Sequence, residues 1–103
     1  MNNPNPVLFA KALADETRQK IMNECCCRWL SVNEIVEKVG VSQPTVSHHL
    51  AILRDAGLVH IREQGKQTFY SLNQNRVVAC CGQLMVKFAP DERAAISMGQ
   101  AVA

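Results

Sequence analysis

Apolar positions recur along the chain in two rhythms, and the change between them divides it. As far as Gly57 the spacing is helical. "VLFAKALA" (7–14) predicts a short apolar helix, and "LADETRQKIMNECC" (13–26) a second one. Asp15 serves the second as N-cap, and Leu13, Thr17, Ile21 and Cys25 share one face. "SVNE" (31–34) fits a capping box, with Ser31 as cap and Glu34 reaching back. Val32, Ile35, Val36 and Val39 form the apolar face that follows, and Gly40 is the stop. After "GV" another helix begins, capped by Ser42, with Pro44 in its first turn and Gly57 at its end. Val46, Leu50 and Leu53, spaced i, i+4, i+7, turn inward. Over residues 58–72 the period drops to two. "LVHIRE" and "KQTFYSL" flank "QG", which predicts a two-stranded hairpin with Gly65 at positive φ. "QNRVVACCGQLMVKFA" is helical again until Pro90. Val77, Cys81, Leu84 and Phe88 form its apolar stripe, with Val78, Cys80 and Met85 beside it. "MNNPNP" reads as a frayed start.

Two capped helices across a tight turn, followed by a hairpin, predict a mainly α domain with a small β-hairpin: a winged helix-turn-helix. With Val46, Leu50 and Leu53 inward, the second of these helices shows Gln43, Thr45, Ser47 and His48 outward near its start. Gln pairs bidentately with adenine, and Ser and Thr reach base edges or phosphates. The helix N-terminus at Ser42 favours phosphate, and Arg54, Arg62 and Lys66 add cations, Lys66 at the wing tip. Helix initiation alone also accounts for Ser42 and Pro44, and surface exposure for His48 and His49. The combination beside a hairpin is what points to double-stranded DNA.

Length and charge bound this picture without changing it. The 103 residues suit one domain, assigned to residues 1–90, with a flexible tail at 91–103. At this size dimerisation would bury additional surface. A net charge of +2 permits a nucleic-acid partner without implying one. No apolar run approaches the roughly 18 residues of a membrane span, and the N-terminus lacks a signal-peptide pattern. A cytoplasmic protein with reduced thiols is therefore expected. Enzyme chemistry is not expected. His48, His49 and His60 all fall on the presumed DNA side, no acid orients them, and no Gly-rich phosphate loop exists.

Together, "LADETRQKIM", "SVNEIVEKVGVSQPTVSHHLAILRDAGLV" and "REQGKQTFYSL" resemble the ArsR/SmtB family of bacterial metal-sensing repressors, over about residues 8 to 88. The resemblance implies a homodimer joined through its first and last helices, a reading helix at 43–55 and a wing at 60–70. It also implies an operator with inverted half-sites that is released when an effector binds. Two family metal sites are missing. Ser31, Asn33 and Val36 stand where one subgroup carries its arsenite cysteines. Gln74, Asn75 and Arg76 open the last helix, where another subgroup begins its zinc site.

The effector must therefore be argued from the five cysteines, Cys25, Cys26 and Cys27 in "NECCCRWL" and Cys80 and Cys81 in "VVACCGQL". Successive side chains on a helix diverge by about 100°, so a regular helix cannot converge three neighbours. A subset drawn from both clusters is the better ligand set, with Cys27 and Cys26 in non-helical backbone. Three thiolates suit arsenite or antimonite, and four suit cadmium, lead or zinc. Arg28 and Lys87 are the cations placed to lower thiol pKa values. Two other readings stay open: a repressor sensing thiol redox or persulfide chemistry, and cysteines that only pack. No organic cofactor and no small organic substrate are expected.

Overall fold

In the computed structural model, residues 3–92 are described. The elements run α1 (Pro6–Leu13), α2 (Glu16–Glu24), β1 (Leu30–Ser31), α3 (Val32–Val39), α4 (Gln43–Asp55), β2 (Val59–Gln64), β3 (Gln67–Leu72) and α5 (Gln74–Phe88). Residues 1 and 2 of the segment read as frayed lie outside the described residues, but a capped helix begins already at Pro6. The Asn5 side chain accepts hydrogen bonds from the Val7 and Leu8 N–H groups, and Pro6 opens α1. Asn and Pro are common in irregular segments, yet they are also the residues that start a helix. Most of the proposed tail, from residue 93 onward, lies outside the described residues.

Asp15, Ser31 and Ser42 cap α2, α3 and α4 as the sequence predicts. At Ser31 the box closes in both directions. The Glu34 N–H donates to Ser31 Oγ at 3.2 Å, and the Ser31 N–H donates to Glu34 Oε1 at 2.8 Å. The end of α4 is a Schellman motif. Gly57 sits at φ 73°, its N–H bonds the Arg54 carbonyl, and the Leu58 N–H bonds the Leu53 carbonyl. Both leucines are wholly buried.

The wing is a three-stranded antiparallel sheet in the order β1-β3-β2, where the sequence suggested two strands. Leu30 and Ser31 pair with Tyr70 and Phe69. Two residues are too few to show alternation, so this strand leaves no periodic signal. The β2–β3 turn is Gly65-Lys66, with Gln64 opposite Gln67 and Gly65 at φ 63°.

Ile21, Cys25, Ile35, Val46, Leu50, Leu53, Leu58 and Cys80 fill the centre of the core. On α5 the residue that reaches this centre is Cys80, while Val77, Cys81 and Leu84 pack partly against it. Phe88, expected on the same stripe, is 73% exposed, because the last turn of α5 runs past the core.

His49, expected at the surface, is buried. Arg18 donates to its Nδ1 at 3.1 Å. A guanidinium only donates, so Nδ1 accepts and the ring proton sits on Nε2, which faces Asp15 at 3.9 Å. The same Arg18 donates to the Ala12 and Lys11 carbonyls at the end of α1. One side chain thus joins α1, α2 and α4. Burial lowers the His49 pKa from 6.5, opposed by Asp15 and assisted by the Arg18 and His48 charges.

Two predictions follow from this packing. The native chain binds fewer protons at His49 than the unfolded chain does, so this stabilisation is complete above the unfolded pKa. It is lost as pH falls through the depressed native value. Thermal melts between about pH 7 and pH 5 should show a steeper loss for the wild type than for His49→Gln. Gly57→Ala should lower stability by about 1–2 kcal/mol from the left-handed backbone alone. The added Cβ also meets Arg76 Nη1 at 2.6 Å, so urea unfolding should show at least that loss.

Candidate nucleic-acid interface and thiol site

α4 turns Val46, Leu50 and Leu53 into the core and leaves Ser42, Gln43, Thr45, Ser47 and His48 exposed at its N-terminal half. Ser42 Oγ and Thr45 Oγ1 lie 2.9 Å apart, so the cap and the first outward threonine are already joined. Lys66 sits at the wing tip, exposed. Arg62, on β2, stacks over the Trp29 ring at 4.3 Å from its centroid. That contact holds the guanidinium beside the sheet and leaves its edge for an anion. Arg54 is exposed but shares its charge with Asp55 at 3.2 Å. The residues proposed from sequence thus lie on exposed parts of α4 and the wing. The Arg62–Trp29 stack and the burial of His49 were not foreseen. A tryptophan just before the capping box was the available signal for the first.

The five cysteines divide differently. α2 ends at Glu24, and Cys25 is its C-cap. Cys26 and Cys27 lie in the following turn, as their position before "RWLS" suggested. Cys27 has φ 69°, a left-handed conformation unusual for a residue with a Cβ. This turn brings Cys26 Sγ and Cys27 Sγ to 3.4 Å. Gln74, first residue of α5, donates from Nε2 to Cys27 Sγ at 2.9 Å and to Cys26 Sγ at 3.5 Å. Spacing alone could not reveal Gln74, because the contact joins residues 47 and 48 positions apart. The Cys25 carbonyl accepts from the Leu72 N–H, which fixes the turn against the end of β3.

Cys25 and Cys80 are buried, Cys81 is partly buried, and Cys26 and Cys27 are exposed. Burial pushes the Cys25 thiol up to about 11, against the opposing charge of Arg28. Cys26 is raised by its hydrogen bond with Cys27. Burial raises Cys80, against the Asn5 backbone N–H and Arg76. The lowering expected from Arg28 acts on Cys25 but is outweighed by burial, and Lys87 contributes to none of these three shifts. Arg28 is held by the Glu24 carboxylate at 2.5 Å, and Lys87 lies over the Phe88 ring at the far end of α5. Among the described residues no three His, Cys, Asp or Glu side chains are grouped to hold a metal ion. A three- or four-thiolate site within one chain does not fit this arrangement. What converges is a pair.

A model described as "Bacterial regulatory protein, arsR family" matches residues 15–60, which hold α2 to the start of β2. The chain is 37% identical over 78 residues to the transcriptional activator HlyU of Vibrio cholerae, covering 76% of this chain and 72% of that protein. It belongs to the ArsR family. It is also 45% identical over 67 residues to the HTH-type transcriptional regulator KmtR of Mycobacterium tuberculosis, covering 65% of this chain. It spans only about half, 52%, of KmtR. The solved structure of reduced HlyU from Vibrio cholerae superposes with a TM-score of 0.63 at 32% identity, over 81% of this chain and 86% of that one. An ArsR-like transcriptional regulator from Rhodococcus sp. RHA1 gives 0.76 at 24% identity, over 93% and 91%, which supports the fold. ArsR-family membership accounts for the winged helix-turn-helix. Among the described residues no helix is long and apolar enough to cross a membrane.

The thiol environments set an order of reaction. With limiting iodoacetamide near neutral pH, Cys26 and Cys27 should be alkylated before Cys25 and Cys80, which should need denaturant. Peptide mass spectrometry reads the order directly.

Proposed function

We propose that this ArsR-family chain is a dimeric transcriptional repressor that binds operator DNA through α4 and the wing. A thiophilic effector acting at its cysteines releases it. The single observation that carries the DNA reading is the two-sided character of α4. Its apolar face is wholly committed to the core, while Gln43, Thr45, Ser47 and His48 are exposed at the helix N-terminus, on the domain that carries the Lys66 wing. Ser42, Arg54 and Arg62 fit phosphate contacts beside them. Dimerisation through α1 and α5 is supported by Val7 and Leu8 on one helix and Val78, Val86 and Phe88 on the other, all large apolar side chains left exposed. α1 and α5 pack against each other.

Arsenite or antimonite remains the effector class favoured by clustered thiols, with cadmium, lead and zinc behind it. A three-thiolate site would draw its third sulfur from a second copy, since two converge in one chain. A second reading, thiol redox or persulfide sensing, is favoured by the exposed adjacent pair Cys26 and Cys27.

Selection from a random duplex library on the full chain tests the DNA reading and supplies an operator. Gln43→Ala or Ser47→Ala should then weaken operator binding by about 1–3 kcal/mol and relax preference at one base pair. Lys66→Ala should weaken all sequences alike and reduce the salt slope by about one. Unchanged affinity in both would place the DNA surface elsewhere.

A further inference from the structure

The geometry points to Cys26 and Cys27 as a binding site for a trivalent arsenical that carries one organic substituent, R–As(OH)2. The two sulfurs replace the two hydroxyls, and the organic group lies in the groove beside Cys26. This deepens the thiol-effector reading above and rests on it.

The first support is the separation of the sulfurs. At a bond length of about 2.3 Å, two sulfurs 3.4 Å apart subtend about 95° at a shared atom. Trivalent arsenic is pyramidal, with angles not far above a right angle. A tetrahedral ion such as zinc would hold them about 3.8 Å apart at the same bond length. Cys27, one of the pair, has left-handed backbone, and conformations of this kind concentrate at ligand sites.

The second support is the number of sulfurs. No third His, Cys, Asp or Glu joins the pair among the described residues, and Cys25 is wholly buried. An arsenic that keeps a carbon substituent needs two sulfurs and no more. The third support is the groove, of about 470 Å³, lined by Leu13, Gln19, Met22, Asn23, Cys26 and Leu72. Leu13, Met22 and Leu72 give it an apolar wall within reach of Cys26, which suits a phenyl or alkyl group and offers little to a hydroxyl.

The exchange balances without an oxidant. Two S–H and two As–OH bonds break, two As–S bonds form, and two waters leave while arsenic stays trivalent. Because Gln74 donates to both sulfurs, the new bonds form against the first turn of α5.

The test uses the reduced full chain and phenylarsine oxide. Intact mass spectrometry should show one phenylarsenic group gained and two hydrogens lost, and digestion should place it on the Cys26–Cys27 peptide. Cys26→Ser and Cys27→Ser should each weaken binding by about a hundredfold, the loss expected when one of two linked attachments goes. Cys81→Ser should bind like the wild type, with circular dichroism confirming that each variant is folded. Inorganic arsenite should bind at least about tenfold more weakly, a modest difference for loss of the apolar group. An adduct on Cys80 or Cys81, or arsenite binding as tightly as the phenyl compound, overturns the proposal. So does one arsenic held between two chains. Operator release is read separately. An adduct on the pair that leaves operator affinity unchanged upholds the site and removes the sensing role.

Discussion

Arg18 is the constraint on which the arrangement of this domain depends. Its guanidinium donates to two carbonyls at the end of α1 and to the ring of His49 on α4. Its own N–H is capped by Asp15. The end of α1, the start of α2 and the middle of α4 are therefore fixed by one planar group. Around it the core is almost entirely aliphatic, with Ile21, Leu50 and Leu53 at its centre. Aliphatic packing sets that these helices touch, and it tolerates small shifts among them. The directed bonds of Arg18 set their angle.

The thiol turn sits at the opposite end of α2. Cys25 closes the helix, its carbonyl binds the end of β3, and the next two sulfurs meet Gln74 at the start of α5. α2 is thus a strut with one end at α4 and the other at the cysteine turn. An event at the turn has a short mechanical route to α4, through nine residues of helix and the Arg18–His49 contact.

Much of this was legible in the chain itself. Caps at Asp15, Ser31 and Ser42, stops at Gly40 and Gly57, and the turn at Gly65 are local events, decided by residues within a few positions of one another. The inward set Val46, Leu50 and Leu53 followed from period alone. What escaped was decided at long range or by phase. Pairing of Leu30–Ser31 with β3 needs a partner some 40 residues away. The burial of His49 needs Arg18, 31 positions earlier. Cys80, rather than Cys81, reaches the centre of the core because a rotation of one residue on α5 exchanges them, and hydrophobic spacing could not resolve that phase. Gln74, read only as a missing zinc ligand, proved to be a neighbour of sulfur.

The brevity of β1 has a mechanical consequence. Ser31 is at once the last residue of a strand and the cap of α3, with no linker between them. The sheet and the helix-turn-helix are therefore welded rather than hinged. Beyond Phe69, where the third strand ends, only about 10 Å of two-stranded ribbon projects to Lys66. A tilt of about 5° at its base would carry the tip by only about 1 Å. A duplex held as proposed by α4 and the wing would then be released by both together, with no intermediate in which one grips while the other swings free.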